Sequence, residues 1–435
     1  MKKLLAAILI LTSAAAAAQT PRHELPRRHI RPYPTVDEAL AASDAASAYV
    51  SPLAEPERSE ADGKVSFTTS YVYPAAWLNR QLLLRVESAS AGYTVSVNGQ
   101  TAGYVESGAA AAEFNVTKLS QQGLNTLTVT LDDPAAGAPL IKTGTPWLGR
   151  MEVICQPALR LRDLDYRTRL NESGDAVVEF ALAVKTDVLN PKRSRISYQL
   201  VAPDTTTLEQ GWRDIALDMR GEDTLRFTTV VPAKWLWSAD TPTLLTLVVR
   251  NRLNGRYVEN LAIPVGIRTV EHRDGELFIN GQYTAVYARV VSPNTPEQEL
   301  AKLKGYGYNA VTFEAGEAPQ SLYDACDRAG IFAIPETAID TSEGGQSIRR
   351  GGNPSNDPAL TGRYLERTGA MYHTSKSHPS VIAFSLGRGK TNGINPYESY
   401  LLLKRGGEKR PVIYEGAQME WNNDEFYLFI DRGDK

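Results

Sequence analysis

The sequence predicts a multidomain β plus α/β protein: two β-sandwiches followed by an array of alternating helices and parallel strands. Three observations carry this. Apolar residues alternate with polar ones at period two through much of residues 61–267, with Asn-Gly turn pairs beside the runs. After Ile279-Asn280-Gly281 the pattern changes to helical segments alternating with short apolar strands, which implies parallel βαβ units. Finally, 435 residues exceed one domain of ~100–200 residues and leave room for roughly two to four.

Composition narrows the function classes. Lys and Arg number 47 against 50 Asp and Glu, a net charge of −3, which argues against the strongly basic domain of a nucleic-acid binder. With 42% hydrophobic and 22% charged residues the chain is an ordinary globular one, which excludes wholesale disorder and collagen-like structure. Residues 1–18 read as an export signal: Lys2 and Lys3 precede the apolar stretch 4–11, and small residues follow at Ala14 to Ala18. The mature chain is expected to begin near Gln19 and to reside in a periplasm or outside the cell. The apolar run falls short of the ~20 residues a membrane helix needs, and no later segment qualifies. Cys155 and Cys326 fall in different expected domains and read as free thiols, Cys326 in a core. Five His and two Cys lack metal-ligand spacing and give no zinc signal.

The elements follow in order. Residues 19–60, rich in Pro, Ala and charge, read as an extended N-terminal arm. In 61–155, Tyr93, Val95 and Val97 alternate with polar residues up to an Asn98-Gly99 turn, and Leu127, Val129 and Leu131 repeat the pattern. In 156–267, Val178, Phe180, Leu182 and Val184 form one apolar face and Leu245, Leu247 and Val249 another, ahead of an Asn254-Gly255 turn. The 147–157 stretch divides the two sandwiches, and Trp235 and Trp237 read as packing residues of the second. In 268–435, Thr295, Pro296 and Gln298 suit N-cap, N1 and N3 of a capping-box helix that ends at Gly305 and Gly307. Strand 309–313, helix 319–329 closing on Gly330, strand 331–335, a helix near 359–373 and strand 381–386 follow. A helix capped by Asn395-Pro396 then leads to strands 411–414 and 426–430.

Certain motifs are more specific. Tyr73-Pro74-Ala75-Ala76-Trp77, Val95-Ser96-Val97-Asn98-Gly99-Gln100 and Ala112-Glu113-Phe114-Asn115-Val116-Thr117 resemble the sugar-binding domain of family 2 glycoside hydrolases, above all the large bacterial β-galactosidases. Arg31-Pro32-Tyr33-Pro34 with Asp37-Glu38-Ala39 resembles their N-terminal arm. Val265-Gly266-Ile267-Arg268-Thr269-Val270-Glu271 and Phe278-Ile279-Asn280-Gly281 resemble the passage into their (β/α)8 barrel. Leu322-Tyr323-Asp324-Ala325-Cys326-Asp327, His378-Pro379-Ser380-Val381-Ile382 and Arg410-Pro411-Val412-Ile413-Tyr414-Glu415-Gly416 continue the likeness. The resemblance implies a jelly-roll-like sugar-binding sandwich, an immunoglobulin-like sandwich and a TIM barrel.

It also implies which residues to test. A retaining glycosidase works with two carboxyl groups ~5–5.5 Å apart, one as nucleophile and one as acid/base. The family's acid/base Glu follows an Asn after the Ser-Leu-Gly of the fourth strand; this chain reads Ser385-Leu386-Gly387-Arg388-Gly389, so Arg388 and Gly389 occupy vacated positions. Gly has no titratable group, and Arg stays cationic. Ser292, Thr312 and Glu314-Ala315-Gly316 stand at further replaced site positions. Of the family's magnesium ligands, Asp340 stands for one Glu, Ser342 replaces a His, and the third was the acid/base itself, so the site is expected to be lost and no cofactor is expected. The 134–145 loop offers no sugar-contacting Asp. The nucleophile belongs on a seventh strand, which the sequence does not reach before Lys435. An incomplete barrel, an open six-stranded sheet with an unpaired edge, is therefore expected, with a partner or second copy covering it.

Remaining candidates have plainer roles beside their functional ones. Glu336 and Glu415 are residual carboxylates that suit structural hydrogen bonding. Glu314 and Glu317 would be a recruited acid pair or solvated loop residues. Trp421 with Asn422 would stack on and bind a sugar, or pack a surface. His378 suits a loop cap. The leading expectation is a β-galactosidase-like, glycan-associated protein that does not hydrolyse by the family mechanism, its ligand a β-linked galactoside-type glycan. The rivals are an active glycosidase using replacement carboxylates or completed by a partner chain, and an envelope scaffold that binds protein and no sugar.

Overall fold

The computed structural model describes residues 23–41, 47–106, 108, 111–132, 140, 145–292, 295–313, 318–342 and 347–432. The expected export signal, Gln19, Glu314 and Glu317 lie outside them.

The first sandwich packs two antiparallel sheets. One orders the strands Val50–Pro52, Met151–Gln156, Gln81–Val86 and Ala112–Asn115; the other orders Glu57–Ala61, Lys64–Tyr73, Gly123–Leu131, Tyr93–Val97 and Gln100–Val105. The period-two residues Tyr93, Val95, Val97, Leu127, Val129 and Leu131 all enter its core, with Trp77 and Phe114. The second sandwich pairs Leu159–Leu170, Ala176–Thr186 and Glu222–Val231 in one sheet. Its other sheet runs Thr207–Leu217, Lys192–Val201, Leu245–Leu253 and Arg256–Val265. Its core holds the predicted faces of Val178, Phe180, Leu182, Val184, Leu245, Leu247 and Val249. Both Asn-Gly pairs form hairpin turns with positive φ at each residue, Asn98 at 51° and Gly99 at 77°, Asn254 at 49° and Gly255 at 81°.

The extended arm is shorter than expected. Val36–Leu40 is a short helix with Thr35 as its N-cap, Val50–Pro52 joins the first sandwich, and Glu57–Ala61 is half of a hairpin with Lys64–Tyr73. Residues 23–34 do run extended, and they touch all three parts of the molecule. His29 meets Glu152 of the first sandwich at 2.7 Å, Arg27 meets Asp163 of the second at 3.2 Å, and Gln320 of the barrel region donates to the His29 carbonyl at 2.9 Å. Burial pushes the Glu152 carboxyl up, but the His29 hydrogen bond and Arg31 charge outweigh it and hold it down at about 2.

Trp237 is a rivet rather than a sandwich core residue. It is fully buried beside Phe332, and its indole N–H donates to the Asp327 carbonyl across the boundary at 2.8 Å. Both cysteines are buried and unpaired.

In the barrel region we number the strands β1 Val286–Val291, β2 Ala310–Phe313, β3 Phe332–Ile334, β4 Phe384–Ser385, β5 Val412–Ile413 and β6 Leu428–Asp431. The helices between them are α1 Glu297–Leu303, α2 Gln320–Ala329, α3 Thr361–Ser375 and α4 Ile394–Arg405. Strands β1, β2 and β3 pair in parallel, isolated parallel bridges at Ala333 with Val381 and Glu336 with Ser385 join β3 to β4, and β4 pairs with β5. Two expected caps are corrected. Thr295 makes no capping box, because Pro296 is the N-cap and no side chain caps the end. Asn395 lies inside α4, where its amide donates to the Pro354 and Asp357 carbonyls instead.

The barrel is incomplete, as expected, with no closed ring of strands among the described residues. Strand β6 does not follow β5; it crosses over and pairs in parallel with β1, Val286 opposite Leu428 and Ala288 opposite Ile430. Leu428, Ile430 and Phe426 pack on the cluster of Phe332 and Ile334, and Asp431 ion-pairs with Arg289 and accepts the Tyr308 hydroxyl. The six strands curl into an incomplete cylinder whose seam lies between β5 and β6. No ladder joins those two among the described residues. The β5 edge is covered locally, since Val412 N donates to Asp424 Oδ2 at 2.8 Å and Tyr414 N to Asn423 Oδ1 at 2.9 Å.

Candidate functional site

The curled sheet encloses a cavity of about 650 Å³ at the strand ends that converge near the seam. Its wall takes Thr312 from β2, Ile334 at the end of β3 and Glu336 just after it, Ser385 at the end of β4 and Gly387 just after it, Tyr414 and Glu415 after β5, and Leu428, Ile430 and Arg432 from the last segment. Barrel enzymes place their chemistry at this kind of strand end.

Glu336 is buried there and held on three sides. Arg388 Nε donates to Oε1 at 2.8 Å, Ser385 Oγ donates to Oε2 at 3.3 Å, and the backbone bridges Ser385. Arg388 also donates from Nη2 to the Phe313 carbonyl at 3.1 Å, which fixes its guanidinium across β2 and β3. Burial pushes the Glu336 carboxyl above the usual range, while the Arg388 charge and the Ser385 hydrogen bond pull it back. Arg388 is the counter-ion of the one buried carboxylate among the cavity-lining residues.

Gly389 is packed, not empty. A Cβ there would collide with the Tyr414 hydroxyl and come within 2.8 Å of Thr341 Oγ1. The Tyr414 ring fills that space, fully buried, and its hydroxyl donates to the Thr391 carbonyl at 3.0 Å. Gly387 has φ +99°, the left-handed region, and a Cβ there would lie 2.5 Å from the Ile339 carbonyl. This packing role of Tyr414 was not among the sequence expectations; its signal is indirect, in Gly389 and Gly416, whose missing side chains leave room for the ring.

The other candidates fall apart spatially. Glu415 is exposed at the rim, where it accepts a hydrogen bond from Arg432 Nη2 at 3.3 Å. Asn422 is corrected as a sugar ligand: it is fully buried, and its amide exchanges two hydrogen bonds with the Asn392 amide at 2.8 and 3.0 Å. Trp421 is 59% exposed but does not line the cavity; it stacks on Tyr397 of α4 at 5.2 Å. Asp340 Oδ1 accepts from Ser342 N at 3.0 Å and from Ser342 Oγ at 2.5 Å. One carboxylate turned onto a serine does not fit Mg²⁺, which demands octahedral oxygen ligation. The 134–145 loop contributes Leu140, buried against Ile339, Leu360 and Tyr364; most of the loop lies outside the described residues.

His378 belongs to a buried ionic cluster beneath α2. Its Nδ1 lies 2.7 Å from Asp327 Oδ2, Asp327 Oδ1 accepts from Ser380 N at 2.9 Å, and Arg28 of the arm stands 3.6 Å from Asp324. Burial pushes the Asp327 carboxyl up, and His378 more than offsets it, holding it low. Asp324, Asp327 and His378 are close enough together to ligate a cation, but the Arg28 guanidinium already supplies the positive charge.

A fold of this kind, with a buried carboxylate at the barrel mouth, defines a class, and comparison with known proteins supplies the family. The model of the TIM barrel domain of family 2 glycosyl hydrolases matches residues 281–431, and a second family 2 model matches 159–268. The chain belongs to glycoside hydrolase family 2. It is 26% identical over 373 residues to a β-galactosidase of Alteromonas mediterranea, covering 81% of this chain and 35% of that protein. A β-galactosidase of Aeromonas hydrophila is 28% identical over 375 residues, covering 81% and 36%. The chain therefore spans about a third of the length of the curated relatives it matches. In fold it is similar to a family 2 member from Bacteroides cellulosilyticus, with TM-score 0.68, 18% identity and coverage of 81% and 49%. Bacteroides uniformis β-glucuronidase 2 gives TM-score 0.67 at 18% identity, covering 81% and 46%. No helix among the described residues is long and apolar enough to cross a membrane.

Proposed function

We propose that this chain is an exported, β-galactosidase-like protein whose barrel cavity binds a glycan without cleaving it by the family's two-carboxylate route. One observation carries the reading: Glu336 is neutralised by Arg388 while the adjacent proton-donor position, Gly389, is filled by Tyr414. A carboxylate in a 2.8 Å ion pair is a poor base and a poor nucleophile, and no second buried carboxylate faces it among the cavity-lining residues. The cavity retains the polar wall and aromatic residues that suit a sugar. A β-linked galactoside is the ligand named by the relatives. No resident metal belongs to this reading, and export rests on the N-terminal signal pattern.

The seam favours a second reading. Among the described residues no strand pairs with the outer edge of β6, and this edge with the gap beside β5 would allow another polypeptide, or a second copy of this chain, to complete the cylinder and supply carboxylates.

The purified chain is tested with an aryl β-galactoside and by titration with galacto-oligosaccharides. The expected result is saturable binding without turnover. Hydrolysis that Glu336→Gln abolishes and the surface control Arg58→Ala preserves would overturn the proposal. Absence of saturable binding would favour a scaffold that binds protein alone.

A further inference from the structure

The second sandwich carries a surface unrelated to the barrel cavity. Its four-stranded sheet turns Ile196, Leu200, Leu247 and Val249 into the core, so the alternate residues face outward. One outward row places Asp214, Arg195, Arg252 and Tyr257 side by side, and the next places Trp212, Ser197 and Arg250. The arm covers only the end near Asn260, whose amide donates to the Pro34 carbonyl at 2.8 Å. The rest is open, with Trp212 59% and Tyr257 51% exposed.

The charges on this face are not balanced. Arg195 lies 3.8 Å over the Trp212 ring and donates twice to Asp214, at 2.8 and 2.9 Å. Arg250 and Arg252 each stand 5.9 Å from the centre of the Tyr257 ring, and neither meets a carboxylate among the described residues; nor does Arg193 in the next row. Arg195 and Arg252 are direct cross-strand neighbours, and since Asp214 is taken up by Arg195, the positive charge of Arg252 beside it is left without a carboxylate among the described residues. Two shallow depressions flank the pair. One, of about 430 Å³, lies among Trp212, Ser197, Gln199, Gln210 and Arg250; the other, of about 550 Å³, among Arg193, Arg195, Asp214, Arg252 and Asn254.

We propose that this face binds an acidic glycan, one whose sugars carry carboxylates or sulfates. Guanidinium groups recognise such anions with forked, charge-assisted hydrogen bonds. The exposed rings of Trp212 and Tyr257 give platforms for the apolar faces of sugar rings, and their strands are three strand spacings apart, about 14 Å, which suits a chain of several sugars. Ser197, Gln199 and Gln210 beside Trp212 suit sugar hydroxyls, and that favours a glycan over a nucleic acid.

The full chain is titrated with polygalacturonate, with the same polymer fully methyl-esterified, and with double-stranded DNA. The expected result is saturable binding of polygalacturonate that weakens as salt is raised, and loss of at least about tenfold on esterification. The double substitution Arg250→Gln with Arg252→Gln is expected to weaken binding by about tenfold or more, and Trp212→Ala to weaken it further, with unchanged thermal unfolding as the folding control. Glu336→Gln is expected to leave it unchanged, which separates this face from the cavity. Equal binding of the esterified polymer, binding untouched by the arginine substitutions, or tighter binding of DNA would each overturn the proposal.

Discussion

The two sides of the barrel are built on opposite principles. Around β3 and β4 the carboxylates of Glu336 and Asp327 are buried and matched, Glu336 with Arg388 and Asp327 with His378 and Ser380. On the β5–β6 side the ties are exposed or short. The Arg289–Asp431 pair is a third open to water, and Tyr287 and Phe429 show about half their surface beside it. The difference teaches how the cavity is walled: on one side charge is matched largely out of water around Glu336, and on the other the ties are ones that water reaches.

The strongest test of that contrast lies in the buried cluster. Asp327→Ala removes the acceptor for His378 and Ser380 and strands the arm residue Arg28 near Asp324 alone. Removing one partner from a buried pair costs about 3–5 kcal/mol. Urea unfolding is expected to show that loss, along with earlier proteolysis of the arm. A loss below about 1 kcal/mol would mean that the buried cluster contributes little to holding the fold together.

Next is the Glu336–Arg388 pair. Glu336 has its carboxyl raised by burial, so its neutral form suits the fold, and the associated stability is present at low pH and declines as pH rises through its folded value. Arg388, with Ser385 and Arg432, opposes that decline by favouring the charged form. Arg388→Met therefore is expected to cost little near pH 4 and about 3 kcal/mol at pH 7, the difference growing as pH rises. A difference that is flat with pH would show that Arg388 acts through the Phe313 carbonyl rather than through Glu336.

Much of this was legible beforehand, and the exceptions share a cause. Period-two runs and Asn-Gly turns located both sandwiches because local backbone preference and core burial agree there. The replacement at Gly389 was readable as a missing group. Its refilling was not, because Tyr414 lies 25 positions away in sequence and reaches it only through the β4–β5 pairing. The crossing of β6 to β1 was hidden for the same reason: sequence order places 426–430 after β5, and only the fit of Leu428 and Ile430 against Ile334 selects the other edge. Asn422 misled because its type suits sugars, while its pairing with Asn392 is a tertiary fact.

Gly389→Glu sharpens the comparison directly, since it restores the family's residue type on the matched side. The new side chain must displace the Tyr414 ring and the Thr341 hydroxyl. Overpacking of this kind costs about 1–3 kcal/mol. The expected outcome is a lower melting temperature with no gain of aryl β-galactosidase activity. A variant that is equally stable and hydrolytic would show that the position is vacant rather than refilled.

The smallest effect is expected at the seam. Asp431→Ala removes the carboxylate shared by Arg289 and Tyr308, a pair partly open to water and screened by salt. Such pairs contribute about 0–1 kcal/mol, so global unfolding by urea is expected to shift hardly at all. No residue of β6 is fully buried, however, so hydrogen exchange of the Leu428–Asp431 amides is expected to quicken well before the sandwiches respond. If those amides instead exchange as slowly as the β3–β4 amides, the seam is held as firmly as the matched side, and the two sides of the barrel do not differ in the way their charges suggest.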